Sequence, residues 1–220
     1  MTESLDIVAI SDTHGLHREL DVPDGDVLIH CGDITMYGEV DVYQDFNKWM
    51  GEQKHSVKIV VAGNHDIIFE TKPDIAKKLI TSAIYLQNTG IEFEGYRIWG
   101  SPYTPNVFPC YPEFGLTSRF VFNKNRGEPM AQVWKEIPLA LDILITHGPP
   151  KLILDKTVND DNAGCEALIG SVILKKPRVH TFGHIHEAYG VFKNMDTTFI
   201  NCSVLNENYK LVNKPMEFTI

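Results

Sequence analysis

The stretch Ile7-Val8-Ala9-Ile10-Ser11-Asp12-Thr13-His14-Gly15 reads as a short buried strand that breaks at once into a polar turn. The same order recurs down the chain. Val27–Ile29 runs into His30-Cys31-Gly32-Asp33, and Lys58–Val61 into Ala62-Gly63-Asn64-His65-Asp66. Asp142–Ile145 runs into Thr146-His147-Gly148-Pro149-Pro150, and Arg178–Phe182 into Gly183-His184-Ile185-His186-Glu187. Runs this short, this apolar and this rich in β-branched residues suit strands covered on both faces. Helical spacing fills the gaps. Val42, Phe46, Trp49 and Met50 fall on one face of Glu39–Met50, with Gly51 as a stop. Cys165, Leu168, Ile169, Val172 and Ile173 fall on one face of Cys165–Lys176, which ends at Pro177. Pro73–Ser82 opens with a proline suited to a first helical turn. Strand and helix in alternation predict an α/β fold with largely parallel central strands. Ile91–Phe93, Tyr96–Gly100, Thr198–Asn201 and Phe218–Ile220 read as added strands of mixed direction. Two stacked sheets with outer helices would accommodate them.

The 220 residues hold no repeat, low-complexity tract or Ser/Gly linker, so one domain over 1–220 is expected. Twenty Lys+Arg against 29 Asp+Glu give a net charge of −9, which argues against a long nucleic acid or an anionic membrane as partner. No apolar run approaches the roughly 20 residues of a membrane span. No basic segment precedes an apolar one at the start, so no secretory leader is expected. Cys31, Cys110, Cys165 and Cys202 are scattered without a CxxC pair, which fits free thiols and a cytoplasmic location. Nothing in the sequence fixes an oligomeric state.

Five strands that each end in Asp, Asn or His beside glycine bring those residues to one crevice, because sites in α/β sheets form outside the carboxyl ends of the strands. The inventory is two carboxylates (Asp12, Asp33), the Asn64 amide and four imidazoles (His14, His147, His184, His186). Mixed oxygen and nitrogen donors suit Mn, Fe or Zn better than Ca or Mg. Seven donors exceed one tetrahedral shell and fit two ions sharing a carboxylate. In an extended segment Asp12 and His14 would point to the same side and chelate one ion, while His184 and His186 would each take one of two. Each piece alone has a bland reading: Asp-x-His is often a turn cap, Gly-Asp an ordinary turn, and a His pair surface decoration. All of them in order at strand ends outweigh that reading.

These residues carry a resemblance. SDTHG (11–15), CGD (31–33), GNHD (63–66), THG (146–148) and GHIH (183–186) resemble the five signature blocks of the calcineurin-like metallophosphoesterases. The fuller wording, with DVLIHCGDIT, GSPYTP, THGPP and KPRVHTFGHIHEAYG, is similar to the small metallophosphoesterase-domain proteins of animals and their bacterial relatives. The resemblance implies a two-sheet β sandwich flanked by helices, the αββα metallophosphoesterase architecture. It implies two divalent metal ions, manganese ahead of iron or zinc, and hydrolysis of small phosphodiesters, cyclic nucleotides included. Carried over residue by residue, Asp12, His14 and His186 hold the first metal, Asn64, His147 and His184 the second, and Asp33 bridges them. His65 becomes the non-ligand histidine facing the leaving group, with Asp66 holding it. Some animal members lack the first histidine of the last block; His184 keeps it here. The second block reads GDITMYG, without the further polar residue found in some branches.

Two divalent ions bring +4, and Asp12 and Asp33 return −2. With a hydroxide between the ions the core would keep about +1, enough to draw in a phosphodiester despite the acidic surface, and the ions would make that hydroxide available as a nucleophile at neutral pH. His17, just past the first block, is a candidate substrate contact. Tyr103, Asn106 and Phe108, after Gly100, are candidate pocket residues. His30 and His180 read as core residues and His55 as a solvated one. Two rivals stand beside the diesterase: a phosphomonoesterase on the same metals, and a non-catalytic protein-binding scaffold. A monoester's second charge usually needs an extra cation, and no arginine lies within the five blocks.

Overall fold

The β-branched runs form strands where their glycine-flanked pattern places them. In the computed structural model, which describes residues 4–106 and 120–220, thirteen strands and five α-helices follow the chain. The first sheet takes β1 (Asp6–Ile10), β2 (Val27–His30), β3 (Val57–Val60) and β4 (Ile84–Tyr85), all parallel, with β13 (Met216–Thr219) antiparallel along β1. The second takes β5 (Thr89–Phe93), β6 (Tyr96–Ser101), β9 (Ile143–Thr146), β10 (Val179–Phe182), β11 (Gly190–Lys193) and β12 (Thr198–Asn201), in the order β11-β12-β10-β9-β6-β5. Its four inner strands are parallel and its two edges antiparallel. A two-residue pair, β7 (Thr104–Pro105) with β8 (Asn123–Lys124), lies apart from both sheets. The expected α/β sandwich of two sheets flanked by helices is the observed architecture.

Alternation along each strand explains the layers. Ile7 and Ala9 face inward with Val27, Ile29, Ile59 and Val61, and meet Ile98, Ile143, Ile145 and Ile200 of the other sheet in one apolar layer. Val8, Ile10, Leu28 and Val60 face the opposite way, onto α1 (Val40–Glu52), α2 (Ile67–Thr71) and α3 (Pro73–Leu79). Leu144, Phe182 and Phe199 do the same against α4 (Glu128–Lys135) and α5 (Glu166–Lys175).

Three sequence expectations change. In α1 the buried stripe is Tyr43, Phe46, Trp49 and Met50, with Val42 only half-buried. In α5 only Leu168 and Val172 are buried, and Ile173 is 64% exposed, because the helix presents a narrower face than its composition suggests. His55 is buried rather than solvated. The thiols of Cys31, Cys165 and Cys202 are free, whereas Cys110 and Phe108 lie outside the described residues. Among the described residues no helix is long and apolar enough to cross a membrane.

Candidate metal centre

The parallel strands of both sheets deliver their carboxyl ends to one seam. The turn after β1 runs beside the turn after β2, with Asp12 N–H on Gly32 O at 2.9 Å and His14 N–H on Asp33 O at 3.1 Å. Ser11 bridges to Ser203 beyond β12, which ties the first sheet to the second at this level. Asp12, His14, Asp33 and His184 all adopt left-handed backbone, with φ of 57°, 43°, 57° and 70°. Non-glycine residues pay about 1–2 kcal/mol for this conformation, and it concentrates where side chains must be aimed. The extended geometry expected for Asp12 and His14 is thus replaced by a kinked one, and the kinks produce the convergence.

Two groups of donors result. Asp12, His14 and His186 form one, and Asp33, His147 and His184 the other; within each, the donor atoms lie within 4.8 Å of one another. Asp33 faces both, with Oδ2 at 3.8 Å from His14 Nε2 and 3.3 Å from His147 Nε2. Asn64 Oδ1 is 2.9 Å from His147 Nε2. Each group draws on both sheets: β1 and β10 supply the first, β2, β9 and β10 the second.

Backbone carbonyls orient the rings. His14 Nδ1 donates to Thr35 O at 3.0 Å, His147 Nδ1 to Cys31 O at 2.9 Å, and His186 Nδ1 to Asn206 O at 3.0 Å. With Nδ1–H committed, each ring turns Nε2 inward, the arrangement in which an outer partner fixes a ligand's tautomer. His14 Nε2 is buried with no hydrogen-bond partner. A buried lone pair aimed at carboxylates, without a donor, fits a cation. Asp12 accepts from His184 N–H at 2.9 Å and Ser203 Oγ–H at 2.6 Å, and Asp33 from His65 N–H at 2.8 Å. Glycine is obligatory at two of these approaches: a Cβ on Gly183 would overlap the Asp12 carboxylate, and one on Gly63 the Asp33 carboxylate.

The electrostatics of these side chains point the same way. Burial alone would raise Asp12 and Asp33. The surrounding imidazoles, His186 first for Asp12 and His147 first for Asp33, override burial and hold both carboxylates well below their ordinary range. Burial opposes charge on His147, but Asp33 beside it raises the ring to about 10. The same contest, with Asp12 as partner, raises His186 to about 9. Burial, then the cationic His147, pushes His184 down to about 3. One ring in each group therefore carries a proton in the place where a cation would serve both carboxylates.

His65 has Nδ1 on Met36 O at 2.7 Å, and its ring meets His14 edge-on, centroids 4.9 Å apart. Asp66 does not hold that ring, which corrects the role expected for it. Its fully buried carboxylate accepts from Gly63 N–H at 2.8 Å, Ile34 and Thr35 N–H at 3.1 Å and Tyr43 O–H at 3.2 Å, pinning the turns after β2 and β3 together. His17 is likewise corrected. It is 1% exposed, with Nε2 3.0 Å from Asp45 Oδ2 and its ring against Phe46 and Trp49, so it anchors α1 and has no open face for substrate. Tyr103 packs on Phe122 beneath Lys124, and Asn106 bonds Asn125, so neither is built into the two donor groups. His30 and His180 are core residues, bonded to Thr13 and Thr146. Ser203, Asn206 and Tyr209 belong to the site without a sequence signal: a lone serine, a backbone carbonyl and a loop tyrosine follow no spacing rule.

Comparison with known proteins agrees. Residues 5–188 match the family profile of the calcineurin-like phosphoesterases. The human metallophosphoesterase domain-containing protein 1 is 37% identical over 95% of this chain and 69% of its own length. A UPF0046 protein of Caenorhabditis elegans is 38% identical over 100% of this chain and 76% of its own. The crystal structure of the phosphopantetheinyl hydrolase of Mycobacterium tuberculosis superposes with a TM-score of 0.64 at 13% identity, covering 92% of this chain and 90% of that one, a likeness of fold. Its two donor groups could each hold a metal ion, and the chain belongs to the calcineurin-like phosphoesterases, a family of metal-dependent phosphoester hydrolases.

Proposed function

We propose that this chain is a dinuclear phosphodiesterase, best served by manganese, that hydrolyses small phosphodiesters, cyclic nucleotides among them. The observation that carries the reading is Asp33, whose one carboxylate oxygen faces His14 of the first donor group and His147 of the second. A carboxylate shared in this way suits a pair of cations: Asp12, His14 and His186 would hold one, and Asn64, His147 and His184 the other. When bound, such ions polarise the phosphoryl group and bring the pKa of water from 15.7 towards about 7.

The chain's own part is proton delivery and orientation. Met36 O accepts from His65 Nδ1–H and orients the ring with Nε2 towards the departing oxygen; in the doubly protonated imidazolium form the Nε2–H would supply the proton and leave the neutral ring behind, a general-acid contribution of roughly 10²–10⁴-fold. Diesters are favoured over monoesters because the described arginines are engaged elsewhere. Arg18 pairs with Asp45 and Glu52, Arg126 with Glu166, and Arg178 with Asp142, while Arg97 bonds the Leu139 carbonyl.

The test is hydrolysis of bis-p-nitrophenyl phosphate against p-nitrophenyl phosphate by chelated protein with Mn²⁺ restored. Manganese-dependent preference for the diester supports the reading. Preference for the monoester overturns the substrate class, and no metal uptake after Mn²⁺ incubation returns the chain to a scaffold role. In His65→Ala, turnover should fall at least a hundredfold, within the general-acid range of roughly 10²–10⁴, while bound metal stays unchanged; equal loss of both would sink the assignment of His65.

A further inference from the structure

Tyr209 stands over the first donor group in a way packing alone does not require. Its ring centroid lies 5.2 Å from that of His14 and 5.1 Å from that of His186, at steep angles of 64° and 73°. The ring leans on both imidazoles, yet the residue remains 44% exposed. It is lifted there by a turn closed through the Leu205–Leu211 bridge, in which Asn206 Oδ1 accepts from Asn208 and Lys210 N–H, both at 3.0 Å. Tyr209 itself has φ of 56°, a left-handed conformation that disfavours a bulky side chain. Asn206 O takes both the Tyr209 N–H, at 2.9 Å, and His186 Nδ1–H, at 3.0 Å. One carbonyl thus sets the tyrosine and a donor imidazole relative to each other. On the other flank Phe120 lies against His65, centroids 4.7 Å apart, so aromatic surface borders the centre on two sides.

We propose that Tyr209 determines specificity: its open surface receives a flat aromatic or heteroaromatic group of the phosphoester while the phosphoryl group occupies the donor groups beside it. The chemistry is ring stacking, which favours flat π systems over alkyl groups of similar reach. The inference deepens the phosphoesterase reading and rests on it for the position of the phosphoryl group.

Binding of two non-hydrolysable probes separates the two. Calorimetric titration of the manganese-loaded protein with methyl(phenyl)phosphinate and with dimethylphosphinate, monoanions like a phosphodiester, should show tighter binding of the phenyl compound. Tyr209→Leu should cut the phenyl-to-methyl affinity ratio about fivefold, the scale of one aromatic pair, and Tyr209→Phe should keep it. An unchanged ratio in Tyr209→Leu overturns the proposal. So does an equal fall in both affinities together with bound metal, which would make Tyr209 a packing residue for His14 and His186. Failure of the parent to bind either phosphinate overturns the phosphodiesterase reading along with it, whereas binding without ring preference overturns the role of Tyr209 alone.

Discussion

Replacing Asp66 by alanine tests whether this carboxylate fastens two turns or serves His65. Three backbone amides, of Ile34, Thr35 and Gly63, end on it inside the core. Stranding a buried donor costs about 1–3 kcal/mol, so three sum to about 6 kcal/mol at mid-range. An opposing effect reduces that. Burial, then the charge of Asp33, raises Asp66 to about 6 in the metal-free protein. Keeping it ionised at pH 7 therefore costs about 3 kcal/mol, which alanine does not incur. The amides win, leaving a loss of about 3 kcal/mol. For a chain of this size that lowers Tm by about 6–12 °C, and Asp66→Asn, which keeps one acceptor, should recover part of it. The sign with pH follows from the raised value. Between about pH 4 and 6 the folded chain retains a proton that the unfolded chain has released, so the parent gains on the alanine variant as pH falls from 7 to 5, by about 1 kcal/mol. Thermal melts of the metal-free proteins at pH 7 and pH 5 provide the assay. A Tm within about 2 °C of the parent, with turnover abolished, would refute the fastening role and return Asp66 to His65.

Three further outcomes are expected. Gly183→Ala, whose Cβ would overlap the Asp12 carboxylate, should weaken metal uptake by about 10–100-fold, read as bound metal per chain after equilibrium dialysis. His17→Ala should lower stability by about 1–3 kcal/mol through the lost Asp45 bond and aromatic packing, with KM unchanged; a raised KM at constant Tm would restore a substrate role. His147 and His186, at about 10 and about 9 when metal-free, both carry protons at pH 7. Their contribution to stability is complete below about pH 6.5 and is lost as pH rises through 9 and 10. Cations compete with those protons. Metal binding at pH 7 should therefore release about two protons, measured by calorimetry in buffers of different ionisation heat, and the metal-induced rise in Tm should grow between pH 6.5 and 9.

The sequence carries the strands because a β-branched run ending at glycine is a local signal, as Ile7–Ile10 and Val27–Ile29 illustrate. It carries the residue types of the site for the same reason, since each donor sits directly after its strand. It does not carry geometry. Asp12 and His14 converge through left-handed kinks rather than strand periodicity, and only the neighbouring turn, which takes up their N–H groups, dictates those kinks. His17 and Asp66 misled because a polar residue beside a motif looks alike whether it meets substrate or fastens a helix. Their partners, Asp45 and the Gly63 and Thr35 amides, lie up to 31 positions away. The exposed Ile173 misled through composition: a helix rich in aliphatic residues still buries only the stripe that its sheet can cover.

The placement of donors across the seam ties the fold to the chemistry. Neither sheet holds a complete donor group. Asp12 and His14 come from the first sheet and need His186 from the second; Asp33 and Asn64 need His147 and His184 in the same way. Apolar packing between the sheets sets their spacing, and the donors at the strand ends inherit that spacing. A cation held on either side would therefore join the two sheets as well as polarise a phosphoryl group. Across the same seam Asp33 raises His147 and Asp12 raises His186, so each carboxylate of the first sheet faces an imidazolium of the second. Preorganisation here is a property of the sandwich: the kinked turns can be strained because strands from both sheets hold them, and the site is rigid because its donors are anchored on both.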